Sequence, residues 1–395
     1  MSKKPNNSKL LTIFLIVFID LLGFGLILPL LPYIAEKFSA TPFTIGVLSA
    51  TYSLFQFLAG PILGTLSDRF GRKKILVISQ LGSVVGYIIL GFANSLPLLF
   101  LSRIIDGATG GNISIAQAYM ADITDKKTRA KGMGLLGAAF GLGFMLGPAM
   151  GGYLSRFGFI VPALFAAFIG IVTTTLTLIF LQETVSVTSQ SAPRAKLTLQ
   201  SVTTLLQTRP LGLLISTFFL ISLGFSGMQG TYALWAQDSF GWGPGQVGSI
   251  FAYIGILSII IQTQILPRSI KYFGEKKLLT ASLPLLGLGF YLLSITHSLP
   301  LHLLANFFIV LGNSLANPTL SALATENIEA SHYGETLGLL QSSGSLGRIV
   351  GPAIAGEIYT QFGKNVPFQI SGTIFLITAL YLYVSLRLHL KKTNV

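Results

Sequence analysis

An all-α integral membrane fold, with twelve transmembrane helices in two pseudo-symmetric six-helix bundles, is what this sequence predicts. Three observations predict it. Of 395 residues, 51% are apolar and only 10% charged, against roughly 25% charged in ordinary soluble domains. Mostly apolar runs of more than ~18 residues recur along the chain, each enough to cross a ~30 Å hydrocarbon layer at about 1.5 Å per residue. The second half of the chain also repeats the first. No run shows the period-2 alternation of a barrel strand.

Taken in order, the spans are expected at 10–34, 43–66, 74–93, 97–119, 132–154, 160–181, 210–234, 245–266, 276–296, 300–322, 334–358 and 366–388. Span 1 follows Lys3, Lys4 and Lys9; it is too long for a signal peptide and lacks a small-residue cleavage site. Spans 2 and 3 are joined by GPILGTLSDRFGRKK at 60–74, where Asp68, Arg69, Arg72, Lys73 and Lys74 crowd into a short turn. So short a charged connection between two such runs reads as a cytoplasmic hairpin. After span 6 the polar, Ser/Thr-rich stretch 182–209 holds no span and reads as a linker, with a short surface helix expected at 197–207. The organisation is therefore a bundle at 1–181, a cytoplasmic linker at 182–209 and a bundle at 210–395.

The repeat is explicit. Residues 134–152 (GLLGAAFGLGFMLGPAMGG) align with 338–356 (GLLQSSGSLGRIVGPAIAG) at an offset of 204, and FGRKK at 70–74 aligns with FGEKK at 273–277 at 203. Asp122 matches Glu326 at 204 again. Parallel repeats of this kind point to a transporter with its site at the midplane between the halves.

The net charge of +13 raises the question of nucleic acid, and the placement of the cations answers it. With the N-terminus inside, all of the 26 Lys and Arg fall in inner connections and termini except Lys37, Arg156 and Lys364 outside and Arg103 and Arg348 within spans. This is the positive-inside pattern, placing both termini in the cytoplasm of a multi-pass plasma-membrane protein. Such cations face anionic lipid headgroups, not nucleic acid. There is no Cys, hence no disulfide or thiolate metal site. His297, His302, His332 and His389 lie near span ends or in the tail with no metal-ligand spacing, and no phosphate-cradling GxxxxGK[ST] loop occurs. An enzyme, a cofactor, a metal and direct use of ATP are all unexpected; a proton gradient is the expected energy source.

Ionisable groups inside spans cost at least ~2.5–3.5 kcal/mol each at the bilayer centre, so they mark function. Asp20 lies roughly 16 Å deep from the inner end of span 1 by helical rise. Arg103 and Asp106 share a face of span 4, three residues apart. Asp20 or Asp106 is expected to carry the proton, with Arg103 setting its affinity. Asp68, with Arg69, Arg72 and Lys73, is expected to form a latch that pairs with Arg129 or the start of span 11 and closes the inner side. In span 5, Gly143, Gly147 and Gly151 fall on one face beside Gly152, and Pro148 permits a bend, which suits a sealing or hinging helix. Tyr52, Phe55, Gln56, Gln117, Gln229, Tyr232, Trp235, Tyr253 and Gln341 supply the aromatic and amide wall expected of a cavity for amphipathic solutes. Arg348, buried in span 11, either binds an anionic group or pairs with Glu357.

As a set these motifs resemble the major facilitator superfamily, and within it the twelve-helix drug/proton antiporters, with nearest likeness to the tetracycline/proton antiporters. IDLLGFGLILPLLP with Asp20 and Pro29 resembles that group's first-helix motif, GTLSDRFGRKK its loop motif, RIIDGATGG from Arg103 its fourth-helix motif and GFMLGPAMGG from Gly143 its antiporter signature. The resemblance implies export of drugs or other amphipathic small molecules by alternating access in exchange for protons. The partners implied are the solute, protons and membrane lipids, with the chain acting as a monomer. An importer or a lipid or metabolite carrier of the same fold, and a receptor or scaffold without flux, are the alternatives. Two departures stand out. Gly86 occupies the place of an acidic residue in the third helix of the tetracycline antiporters, and Asp106 stands where the fourth-helix motif carries Gln or a small residue. The coupling carboxylate is thus expected to have moved to span 4.

Overall fold

In the computed structural model, residues 7–124, 128–184, 211–325 and 333–393 are described. Among them the regular structure is entirely helical: α1 (Asn7–Ile27), α2 (Leu31–Glu36), α3 (Pro42–Phe70), α4 (Arg72–Gly91), α5 (Leu96–Ala108), α6 (Asn112–Ile123), α7 (Arg129–Leu154), α8 (Ile160–Phe180), α9 (Leu211–Phe240), α10 (Pro244–Ile260), α11 (Leu266–Phe273), α12 (Glu275–Ser294), α13 (Leu299–Thr325), α14 (Tyr333–Phe362) and α15 (Val366–Thr393). Ten helical stretches among the described residues are long and apolar enough to cross a membrane. The expected surface helix at 197–207 and the residues Glu326 and His332 lie outside the described residues, as does the side chain of Arg129.

Three spans are less regular than their hydropathy suggests. Span 1 pauses after Ile27, where Pro29 removes a backbone donor, and restarts as α2 with Pro32 in its first turn. Span 4 is broken in two at Thr109–Gly110–Gly111, leaving α5 and α6 as half-length pieces. Span 8 carries a π-helical turn at Ile261–Ile265 between α10 and α11, a feature frequent at functional sites.

The described residues divide into two compact units, one made of those within 7–41, 47–184 and 241–255, the other of those within 42–46, 211–240 and 256–393. Each is built the same way. In the first, α1 packs chiefly on α7, and α4 on α8 and α5; in the second, α9 packs on α14, and α12 on α15 and α13. The sequence repeat is thus a repeat of helix pairings. It reaches single residues: Gly25 lies against Gly147 in the first unit, and Gly227 against Gly351 in the second. Likewise Gly248 abuts Pro148 in the first, and Gly46 abuts Pro352 in the second. The duplicated turns FGRKK and FGEKK place Gly71 and Gly274 at φ 107° and 72°, a region that only glycine enters without strain.

The first unit's core gathers Ile13, Ile16, Leu76, Ile115, Tyr119 and Met120 from three helices, α1, α4 and α6, all nearly or fully buried. On α8 and α15, by contrast, Phe168, Ile179, Phe180, Ile377 and Leu380 are exposed. Apolar surface on that scale meets lipid in a membrane protein.

Candidate functional site

The break in span 4 organises the polar centre of the first unit. TGGN at 109–112 supplies two glycines and a turn, so the α-helical ladder stops at Thr109, whose N–H still reaches the Ile105 carbonyl at 3.0 Å. Gly110 N–H then bonds back to Gly107 O at 2.9 Å and Gly111 N–H to Thr109 O at 2.8 Å. The Gly110 carbonyl is taken up by Gln56 Nε2 from α3 at 3.1 Å, and the same amide nitrogen lies 2.9 Å from the Tyr52 hydroxyl. Irregular backbone at membrane depth is tolerated where it is enclosed by protein in this way.

Just past the break, α6 opens with Asn112. Its Nδ2 donates to both oxygens of Asp20 on α1, at 3.0 Å each. The carboxylate is thus held by the first side chain of α6. Just before the break, Arg103 and Asp106 pair at 3.3 Å, with side chains 4% and 2% exposed. Ser83 of α4 stands near the Asp106 carboxylate, and Asp20 and Asp106 are near enough to repel when both are charged. A pair this deeply buried persists only because each member neutralises the other.

Gly86 of α4 packs against this pair: a side-chain carbon there would come within 3.0 Å of the Asp106 Cβ. The residue that lacks an acid on α4 and the residue that gains one on α5 are thus neighbours in space.

A second charged cluster lies at the Arg72 end of the same unit. Arg72 Nη2 pairs with Asp68 at 2.5 Å, its Nε with Asp122 at 3.1 Å and its Nη1 with Ser67 Oγ at 2.7 Å. Glu183, beyond α8, accepts the backbone N–H groups of Arg72 and Lys73 at 2.8 and 3.2 Å, capping α4, while Lys73 Nζ donates to Leu178 O at 2.6 Å. Thr184 also donates to Asp122 at 3.0 Å. Arg69 is exposed and stacks over Phe70.

The glycine face of α7 meets α1 closely. Gly143 lies against Leu21 and Leu22, Gly147 against Gly25 and Gly151 against the Leu26 carbonyl, while Gly152 faces Pro244 beside Pro148. The aromatic and amide residues are dispersed. Tyr52 meets Phe24 at 5.0 Å between ring centres; Phe55 and Gln56 are half-buried, and Gln117 is exposed. In the second unit Gln229 and Tyr253 are half-buried and Gln341 exposed, and Arg348 Nη2 bonds Ser345 at 2.8 Å while Glu357 accepts from Gln361. Tyr232 and Trp235 are each 1% exposed and join a buried cluster around His302. The Tyr232 hydroxyl is 2.6 Å from His302 Nε2, the indole stacks on the imidazole at 5.6 Å, and Trp235 Nε1 donates to Asn365 at 2.9 Å.

Sequence reasoning passed over Asn112, Ser83 and Glu183. Asn112 had a signal, since two glycines and an amide interrupt an apolar run; Glu183 had none, because its role depends on where α8 ends beside α4.

The sequence profile of the Major Facilitator Superfamily matches residues 13–271 and 265–394. Over 90% of its length the chain is 32% identical to a tetracycline resistance protein, class C, of Escherichia coli, covering 90% of that protein. It is 27% identical to multidrug resistance protein 2 of Bacillus subtilis over 95% of both chains. The crystal structure of the human organic anion transporter MFSD10 (TETRAN) superposes with a TM-score of 0.74 at 26% identity, covering 96% of this chain and all of that one. Profile, relatives and fold agree: this multi-pass chain is a transporter, not an enzyme, and belongs to the major facilitator superfamily.

Proposed function

We propose that the chain exports amphipathic organic solutes, drugs among them, in exchange for protons, by alternating access between homologous bundles at 1–181 and 210–395 joined by a cytoplasmic linker. Both termini face the cytoplasm in this reading, and the chain works as a monomer. The observation that carries it is the polar centre at the break of span 4: a half-buried carboxylate, Asp20, held by Asn112, and a buried one, Asp106, paired with Arg103. A carboxylate that repels a second carboxylate and is paired to one cation changes its proton affinity whenever those distances change. That is the element a proton-coupled cycle requires. The names of the E. coli and B. subtilis relatives support drugs as the solute class. The contact of Gly86 with Asp106 supports the idea that the coupling acid has moved from span 3 to span 4.

Two further roles belong to this reading. The Asp68–Arg72–Asp122 cluster latches the inner end of the first bundle, with Arg69, Lys73 and Arg129 contributing charge. The Gly143–Gly147–Gly151 face beside Pro148 and Gly152 lets α7 seal against its neighbours. A second reading, carriage of organic anions, is favoured by the likeness to the human organic anion transporter and by Arg348.

The test is transport by the purified chain in proteoliposomes under an imposed pH gradient, with cationic, zwitterionic, neutral and anionic amphipathic solutes. Gradient-driven flux opposite to the proton is expected for the wild type, and its loss in the Asp20→Asn, Asp106→Asn double variant. Coupled flux in the double variant would refute the assignment, flux in the same direction as the proton would make the chain an importer, and preference for anions would favour the second reading.

A further inference from the structure

Polar atoms with no partner from the protein gather in one part of the first unit that neither charged cluster explains. Ser79 Oγ and both amide atoms of Gln80, on α4, have none, although the residues are 0% and 1% exposed. A buried amide in that state bears its full desolvation cost, and such groups are commonly satisfied by internal water.

Helix geometry gives their surroundings. Gly170 of α8 lies against the side chain of Val84 of α4, and the helices run antiparallel, with Lys73 near the start of α4 bonded to Leu178 O near the end of α8. One turn from the Val84–Gly170 contact toward the Arg72 end, α4 presents Gln80 and α8 presents Thr174. Thr173 and Thr177, both 0% exposed, flank that level. All three threonine hydroxyls donate to carbonyls one turn back, which leaves their oxygen lone pairs to accept from another donor. On the adjoining face of α4, Ser79 stands one turn from Ser83, the residue near the Asp106 carboxylate. Arg72, Ser79, Ser83 and Gly86 recur at i, i+7, i+11 and i+14, a single stripe along the helix.

We propose that Ser79 and Gln80, with Thr173, Thr174 and Thr177, hold a chain of internal waters that carries the proton between Asp106 and the Arg72 end of α4, apart from the path of the solute. This deepens the proton-coupled reading above and rests on it. Ser83 and Ser79 stand about 6 Å apart along the helix by rise, a gap that one bridging water spans. Gln80 anchors the waters with a donor and an acceptor and does not itself relay. Asp106 gives its proton to the first oxygen of the chain as the last oxygen releases one. Every oxygen between forms one O–H bond and breaks another, so nothing is consumed. Ile75 and Leu76, 6% and 1% exposed, lie between Ser79 and Arg72 as a dry plug, so conduction waits until they part. The charged groups around the upper end are Arg103 on α5 and Asp20 on α1, with the phenols of Tyr87 and Tyr52 nearby. Around the lower end they are Arg72, Asp68, Asp122 and Glu183.

The test uses the full chain in proteoliposomes, as wild type, Ser79→Ala and Gln80→Leu, with ethidium as a fluorescent amphipathic cation. Ethidium exchange at equal pH should stay within about twofold of wild type, while pH-driven flux should slow roughly a hundredfold or more, the scale on which a lost proton-transfer partner slows a reaction. The Tm of purified Gln80→Leu should be unchanged or lower, because leucine displaces bound water. A raised Tm would mean the site is dry and the amide a mere burden, which overturns the proposal. Unchanged driven flux overturns it too, as does equal loss of exchange and driven flux, which would make these residues packing elements. A wild type without any pH-driven flux would sink the parent reading instead, and the Tm comparison would still report on the waters.

Discussion

Asp106 takes the space beside Gly86 that a carboxylate on α4 would otherwise fill. This contact makes the relocated acid testable by exchange. Asp106→Ala should abolish gradient-driven transport, and adding Gly86→Asp to that variant should restore part of it, since the new carboxylate would enter the same pocket near Arg103 and Ser83. Flux under an imposed pH gradient, alongside equilibrium exchange, is the measurement; no recovery in a folded double variant would mean that position, not charge alone, matters. Asp20, Arg103 and Asp106 were legible in the sequence because a charge inside an apolar run costs several kcal/mol and stands out. Asn112 and Ser83 were not, because neutral polar side chains are common in membrane helices and gain meaning only from the neighbour they meet. His302 was read from its position near a helix start, which holds, yet nothing in the sequence shows that Tyr232 and Trp235 enclose it.

At the scale of elements, two helix pairs carry the packing, α1 with α7 and α9 with α14, and both rely on facing glycines. A side-chain carbon on Gly147 would come within 2.7 Å of the Gly25 Cα, and both partners there are backbone. Overpacking a close interface of this kind costs roughly 1–3 kcal/mol or more. Gly147→Val should therefore lower the Tm of the purified protein and depress transport, whereas Gly134→Ala, where nothing lies within 4 Å of the added carbon, should leave both unchanged. The glycine spacing was readable because an interval of four repeats on one helical face. The interruptions of spans 1, 4 and 8 were not read: hydropathy sums over a window and is blind to whether the ladder of hydrogen bonds continues within it. Pro29 and the Gly110–Gly111 pair were the available hints.

For the whole molecule, the twelve-span reading and the repeat came from quantities that do not depend on tertiary detail, namely run length, composition and a constant offset. Orientation is open to a direct check, because the chain has no Cys and any introduced thiol is unique. Arg69→Cys and Tyr272→Cys should react with membrane-impermeant maleimide only from the cytoplasmic side, and Arg156→Cys and Gln361→Cys only from the other; all four positions are exposed. The split of span 4 also bears on how the chain is made. Its pieces of 13 and 12 residues are each too short for a ~30 Å hydrocarbon layer, and the first contains both Arg103 and Asp106, at ~2.5–3.5 kcal/mol apiece on the translocon scale. Such a segment cannot leave the translocon for lipid by itself. During synthesis it must wait beside α1, α3 and α4, so membrane insertion of this protein is a cooperative event among neighbouring spans, not a sequence of independent ones.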